Sequence, residues 1–502
     1  MPVRALRMHP DDNVALAATD LTAGETISLD GLQITLRCGI PFGHKFACRP
    51  IALGESIIKY GQPIGVATTA IEPGDHVHVH NAESTRGRGD LGHAEAHVRT
   101  ASEAFTKASP AHQLTPTATT FMGYRRRDGR AGTRNHVLVL ATVHCANTVV
   151  ERLGQRLSDV VALPHVYGCS QIGDDLSQSR RVLEAYASHP NVGAVLLIGL
   201  GCETMPTLEM EEQLRAKGVL VQRLTIQEEG GSRATFERGL AIARELLQEV
   251  QSATREPIPL SELIVATECG GSDAWSGITA NPAVGVASDL IVAAGGSVIL
   301  SETPEFIGAE HLLAARAVSP EVAQQILEIV RRREEEAMRM GVDMRGAQPT
   351  PGNIQGGLTT IEEKSLGTIS KGGTSPVVEV VGYAHKPTRR GLVIMDTPGN
   401  DLQSVTAMIA GGAQVAVFTT GRGTPTGNPI APVIKVATNT PMYERLRDDI
   451  DINAGTILDG EPLPEVGLRI FEEIVAVASG KITAAESWGH REFAIETIGP
   501  RL

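Results

Sequence analysis

Apolar and polar positions along the first eighty residues alternate in short runs. Residues 14–21, 25–37, 56–61 and 75–80 are rich in β-branched side chains with a period near two, and Gly24, Gly43, Gly54, Gly61 and Gly74 fall between them. Such short alternating runs, punctuated by turn residues, predict a small β domain over 1–82. The pattern breaks at 83–118, which is rich in Ser, Thr, Gly and Pro with one weakly helical stretch at 94–105. This reads as a long polar linker, which would leave the β domain free to act as a mobile cover. From 119 the periods change. Continuous apolar runs at 136–143, 160–168, 194–201 and 219–226 are separated by helical patterns at 146–157, 177–189, 207–218 and 237–251. That alternation predicts βαβ units on a parallel sheet over 119–255.

Residues 252–262 read as a second break. Beyond it, apolar strands are predicted at 263–268, 296–302, 391–396, 414–420 and 433–438, and helices at 283–295 and 320–340, giving a second α/β unit over 256–502. The charged run 331–336 is a solvated helix face with i,i+4 pairing. The expected fold class is therefore α/β: a small β-rich domain followed by two Rossmann-like domains with mostly parallel sheets.

Composition narrows the function. A chain of 502 residues holds two to four domains at ~150 residues each. The 45 basic against 58 acidic residues leave a net charge of −13, which disfavours nucleic acid and anionic membrane surfaces as partners. No apolar run reaches the ~18 residues of a membrane span, and the first residues lack a signal-peptide core, so a cytoplasmic protein is expected. The six cysteines then need a role other than disulfides, and no Cys-x-x-Cys pair occurs.

Cys145, Cys169, Cys202 and Cys269 each follow a predicted parallel strand. Ligands of open α/β sheets bind at those carboxyl ends, so four soft donors can converge on one site or on two facing ones, holding iron, zinc or an iron–sulfur cluster. The ordinary alternative is buried thiols. His76, His78 and His80 alternate with valines, which on a strand would put three imidazoles on one face, and His44 can join them; an exposed polar face is the alternative. The glycine-rich turns 397–401 and 418–427 can cradle a carboxylate with Arg422. Neither is a phosphate-binding P-loop, and Gly199-Leu200-Gly201 is too short for the dinucleotide fingerprint.

Several segments resemble one known family. GHKFA at 43–47, IIKYGQPIG at 57–65 and HVHVHN at 76–81 are similar to the N-terminal SAF domain of the altronate/galactarate dehydratases. GYRRRDGRAGTRN at 123–135, HVYGCSQIGDD at 165–175 and GLGCE at 199–203 resemble its middle domain. ECGGSDAWSGITANPAVG at 268–285, FTTGRGTP at 418–425 and DINAG at 451–455 resemble its C-terminal domain. The resemblance implies dehydration of a sugar acid to a 2-keto-3-deoxy acid with an iron or manganese requirement, D-altronate ahead of galactarate on HVHVHN, PEFIGAE at 304–310 and TPGND at 397–401. It implies a homo-oligomer and a small-molecule substrate.

On this reading His44, Lys45, His165 and Asp273 are catalytic candidates, and Arg134, Asn135, Ser272, Asn281, Arg422 and Lys435 bind substrate. Metal ligands are sought among His76, His78, His80, Cys145, Cys169, Cys202 and Cys269. Rival readings are an iron–sulfur dehydratase, a sulfolactate-type lyase and a non-catalytic sugar-acid-binding regulator.

Overall fold

The computed structural model describes residues 4–87 and 114–499; the weakly helical stretch 94–105 and most of the expected linker lie outside them. The N-terminal domain is all β. Ala5–Leu6, Val14–Ala17, Lys45–Ala47 and His76–Val77 form one antiparallel sheet. Ser56–Lys59, Gln62–Ala67 and Ala82–Glu83 form a second, and Thr26–Leu29 with Leu32–Thr35 a separate hairpin. Asp30-Gly31 closes that hairpin with φ of 49° and 80°, the two left-handed residues that match a two-residue turn to strand twist.

The histidine segment departs from the expected strand. The ladder stops after Val77, and Asn81 closes a turn by accepting from His78 N (2.9 Å) and donating to the His76 carbonyl (2.9 Å). An Asn side chain that satisfies two backbone groups outcompetes continued pairing.

The middle domain carries a four-stranded parallel sheet in the order Val160–Leu163, His136–Ala141, Val192–Gly199, Leu220–Thr225. Helices Asn147–Arg156, Gly173–Ala187, Thr207–Ala216 and Ser232–Gln251 follow the strands, as the alternation predicts. The expected break at 252–262 contains a strand: Glu256–Pro259 pairs antiparallel with Thr120–Arg125, so the middle domain leaves the C-terminal domain and returns to it across one ribbon.

The C-terminal domain is built on seven parallel strands in the order Val377–Val381, Leu392–Met395, Ser297–Leu300, Ile264–Cys269, Val415–Thr420, Val433–Ala437, Ile452–Asn453. The two edge strands were not visible in the apolar pattern. Ile264–Cys269 lies centrally, with later strands added on both sides, which opens the ligand crevice at its carboxyl end. Among the described residues no helix is long and apolar enough to cross a membrane.

The β domain is docked on the C-terminal domain. Ile51, Ile57 and Ile64 join one apolar core with Phe306, Ile361 and Ile369. Under that core Glu363 accepts from Lys45 Nζ (2.9 Å) and Lys59 Nζ (2.8 Å), and all three side chains are fully buried. Glu363 also accepts from Thr359 N and Oγ1. The first residues of the expected linker complete the seam. Ser84 and Thr85 bind Glu362, and Arg86 pairs with Glu310 (2.8 Å) and Glu334 (2.9 Å).

Two buried ammoniums share one carboxylate, so removing it leaves uncompensated charge in a dry seam. Glu363→Gln is expected to destabilise the protein by about 3–5 kcal/mol in urea unfolding. A loss below about 1 kcal/mol would show that the triad does not hold the domains together.

Candidate active site

The strand Ile264–Cys269 is buried from Val265 onward and ends in two side chains, Glu268 and Cys269, on opposite faces of the sheet. The neighbouring strand Ser297–Leu300 ends just before Glu302, whose backbone is left-handed (φ 71°, ψ 59°). Such a conformation is costly for glutamate and persists only where neighbours enforce it. Glu302 N donates to Thr397 Oγ1 (2.8 Å) and its carbonyl accepts from Glu305 N (2.7 Å). The bend brings the carboxylate to both Glu268 and Cys269 at the carboxyl end of the central strand. Glu302 Oε2 accepts from Cys269 N (3.0 Å), and Lys371 Nζ donates to the same oxygen.

Glu305 lies against Cys269 Sγ (3.5 Å), Thr368 Oγ1 (2.8 Å) and Lys364 Nζ (2.7 Å). Cys269 Sγ also meets Ser272 Oγ at 3.2 Å. Glu268 Oε2 accepts from Ser404 Oγ (2.7 Å) and Ser301 Oγ (3.2 Å). Asp401 comes from the first turn of helix Asp401–Ala410. A Cβ on Gly270 would lie 2.0 Å from Asp401 Oδ2, so glycine is required for the carboxylate to sit there.

Ligand atoms of Cys269, Glu302 and Glu305 lie within 4.8 Å of one another, as do those of Glu268, Glu302 and Asp401. Four acids, Glu302 at their centre, therefore share this cluster with two contacting lysines, an excess of two negative charges when all are ionised. Burial, reinforced by Glu305, pushes Glu302 up to about 7; burial and the neighbouring Glu302 raise Glu268; burial, with Glu305, brings Asp401 to about 6. Burial also works against Glu305, but Lys364 and Lys371 hold it below the usual carboxylate range. The Cys269 thiol is pushed up to about 12 by burial. Glu268 Oε1 and Glu302 Oε1 are buried and accept no hydrogen bond from any donor. Like-charged oxygens brought together in a dry site need a proton or a cation beside them. The donor set is mainly hard oxygen with one sulfur, which fits a divalent metal ion.

A second group lies on the β domain, at its contact with the C-terminal domain. His44 Nδ1 lies 3.0 Å from His76 Nε2, and the His44 ring stacks on His78 with centroids 4.8 Å apart. Two of the imidazoles are seated on the C-terminal domain, His44 Nε2 at the Gln355 carbonyl (3.3 Å) and His78 Nε2 at the Ile354 carbonyl (3.0 Å). Burial lowers all three, His76 to about 3 and His78 to about 4, so they are neutral bases at pH 7. His80 is exposed, with its ring 5.3 Å from His76. The loop 270–273 links the two groups. Arg422 N donates to the Gly271 carbonyl (2.9 Å), Arg422 Nη2 to Gln355 Oε1 (2.6 Å), and Asn353 Nδ2 to the Ser272 carbonyl (2.8 Å).

The remaining sequence candidates divide. Arg422 is exposed beside this loop. Lys45 is buried in the domain seam, pushed down to about 8 by burial. Lys435 Nζ is buried over the Phe418 ring (3.5 Å) without a hydrogen bond, and burial brings it to about 7 against the pull of Asp401. Asp273 uses both oxygens structurally, accepting from Trp275 N, Ser276 N and Oγ, Thr438 Oγ1 and Asn439 Nδ2. Asn281 is spent on the Gly367 carbonyl and Thr419 Oγ1.

Arg134 is locked on Glu486 (2.7 and 2.8 Å) and Asn135 on Arg126 and the Val250 carbonyl. His165 is buried in the middle domain between the Ala141 carbonyl and Tyr167 N, and burial lowers it to about 4. Cys145, Cys169 and Cys202 are exposed on adjacent loops of the middle sheet, where His144 N donates to the Tyr167 carbonyl and Thr204 N to that of Gly168; none belongs to either ligand group. Of the cysteine and histidine donors proposed from sequence, Cys269 alone lies in those groups. Glu268, Glu302, Glu305, Asp401, Lys364 and Lys371 were not among the candidates. The available signal was position: Glu268 and Glu302 are the polar residues that close apolar strands.

Buried carboxyls of raised pKa beside lysines, at the carboxyl ends of a parallel sheet, are the arrangement of an α/β enzyme site. Three family models cover the described domains in order: the altronate/galactarate dehydratase SAF domain at 3–85, the D-galactarate dehydratase/altronate hydrolase second domain at 123–251, and the D-galactarate/altronate dehydratase C-terminal domain at 260–501. The chain is 38% identical to the altronate dehydratase of Bacillus subtilis (strain 168) over 99% of both chains. It is 38% identical to the galactarate dehydratase (L-threo-forming) of Escherichia coli (strain K12), over 99% of this chain and 97% of the relative. It is 40% identical to the (2R)-sulfolactate sulfo-lyase subunit beta of Chromohalobacter salexigens, over 76% of this chain and 97% of that subunit. The chain belongs to the altronate/galactarate dehydratase family, a family of hydro-lyases.

A metal ion must displace the protons that burial favours on Glu302 and Asp401. Manganese(II) affinity, measured by calorimetry, is expected to strengthen as pH rises from 5.5 to 7.5, with proton release on binding. In the metal-free protein both acids have folded values above their unfolded ones, so they contribute a loss of stability as pH rises from about 4 to about 7. Affinity independent of pH over that range would contradict the assignment.

Proposed function

We propose that the chain is a metal-dependent hydro-lyase that dehydrates a sugar acid to a 2-keto-3-deoxy acid, with D-altronate preferred over galactarate. The observation that carries the metal dependence is the pair of buried, donor-less carboxyl oxygens on Glu268 and Glu302 inside two clusters of ligand atoms. Full-length similarity to dehydratases of both sugar acids supports the reaction class. The preference for altronate rests on the histidine segment and on the 304–310 and 397–401 segments, two of which supply Glu305 and Asp401. Iron ahead of manganese, a cytoplasmic location and a homo-oligomer complete the reading, supported by the family resemblance.

The chemistry divides among the residues. Loss of the C2 proton puts charge on a carbon beside a carboxylate, and a divalent ion held by Glu302 with Glu268, Asp401, Glu305 or Cys269 would supply the stabilisation of that charge. Neutral His44 or His78 takes the proton, because burial keeps these imidazoles unprotonated at pH 7. Of Glu268 and Asp401, both raised by burial, the one that the ion leaves free keeps a proton that it can give to the departing C3 hydroxyl. Arg422 offers its guanidinium at the mouth to the substrate carboxylate. The docked β domain excludes water from the loop it covers.

The sulfo-lyase reading is the alternative, motivated by the subunit beta similarity. Anaerobic assays with iron(II) on D-altronate, galactarate and (2R)-sulfolactate separate the two. The expected result is the largest kcat/KM on D-altronate, with no sulfite from sulfolactate; sulfite release as the fastest reaction would overturn the proposal. His44→Gln is expected to lower kcat by about 10²–10⁴-fold with KM and Tm little changed, and full turnover by that variant would remove His44 from proton transfer.

A further inference from the structure

A large cleft lies at the other end of the molecule. It has a volume of about 800 Å³ and opens between the middle and C-terminal domains. Its lining includes Ile264, Ser297 and Gln414, which mark the amino ends of the C-terminal strands, so it is separate from the acid cluster at the carboxyl ends. The size is that of a small-molecule site.

The charge of this cleft runs against the charge of the chain. The protein as a whole carries −13, yet six lysine and arginine side chains line the cleft against three acids. Each of those acids is already paired. Asp128 is held by Arg130 (2.6 Å), Glu184 by Arg180 (2.8 Å) and Glu262 by Arg125 (2.5 Å). Among the described residues, Arg181, Lys386 and Arg390 have no ion pair, and the buried Arg181 Nε has no hydrogen-bond partner. Burial lowers half-buried Arg181 against the pull of Tyr383, and burial with the neighbouring Arg130 lowers Lys386 against the pull of Asp128, so the internal acids offset the cost of these cations only in part. Arg181 belongs to helix Gly173–Ala187 of the middle domain, while Lys386 and Arg390 belong to the loop joining strands Val377–Val381 and Leu392–Met395.

We propose that this cleft binds a small polyanion, a molecule carrying two or more phosphoryl or carboxyl groups, which bridges Arg181 of the middle domain and Lys386 and Arg390 of the C-terminal domain. Two anionic groups on one molecule match cations presented from two sides, and their charge-assisted hydrogen bonds would satisfy the unpartnered Arg181 Nε. A ligand held in this way ties the two domains together remote from the reaction.

Calorimetric titration of the metal-loaded protein tests this with fructose 1,6-bisphosphate as the phosphoryl probe and tricarballylate as the carboxyl probe, against sodium chloride at equal ionic strength. Saturable binding of either probe is expected, weakened at least tenfold in a Lys386→Ala/Arg390→Ala variant that keeps its turnover. The tighter probe identifies the anion class. Arg181→Gln is the second variant, should the double one fail to fold, and is expected to weaken the same probe. No saturable binding, or binding unchanged in these variants, would overturn the proposal. So would sedimentation showing that the substitutions separate two copies of the chain without affecting either anion.

Discussion

Holding several carboxyls together in a dry site is the constraint on which this structure depends. Glu268, Glu302, Glu305 and Asp401 converge where the central strand ends, and two contacting lysines offset only part of their charge. Everything nearby serves that arrangement. Glu302 adopts a left-handed backbone to reach both ligand groups, Gly270 leaves room for Asp401, and Ser301, Ser404 and Thr397 interlock behind them. Sites that carry such strain and raised acidity are where enzymes do chemistry.

The second layer of the design is the β domain. It brings neutral imidazoles to backbone carbonyls at the end of the short helix Pro351–Gln355, and it is held by Glu363 between Lys45 and Lys59. The same helix, Ile361–Thr368, presents Glu363 to the domain seam and Lys364 to Glu305. One buried helix thereby couples docking of the β domain to the charge balance of the acid cluster. Apolar burial of Ile51, Ile57 and Ile64 supplies the attraction, and the ion triad fixes the register in which it is expressed.

The order of elements was largely legible in the sequence, because buried parallel strands read as continuous apolar runs and their helices as periodic ones. All four middle strands and five of the seven C-terminal strands follow that rule. Val377–Val381 and Ile452–Asn453 escaped it because edge strands are short or half-exposed. The histidine strand was misread because alternation alone does not reveal that Asn81 folds the chain back. The site was harder to read. Cys269 was found by its strand-end position, but Glu302, Lys364 and Lys371 sit in polar-looking stretches whose burial is a tertiary fact. Arg134, Asn135, Asp273 and Asn281 look reactive in a motif, yet their polar atoms are consumed by backbone and neighbouring side chains.

The central claim is that the acid cluster around Glu302, and not the histidine group or the middle-domain cysteines, holds the divalent ion. Anomalous diffraction at the manganese edge, from crystals grown with manganese(II), tests it most directly. The account predicts one strong peak within coordination distance of Glu302 and at least two of Glu268, Asp401, Glu305 and Cys269, absent from Glu302→Gln crystals. A peak among His44, His76 and His78, or on Cys145, Cys169 and Cys202, with none beside Glu302, would contradict it.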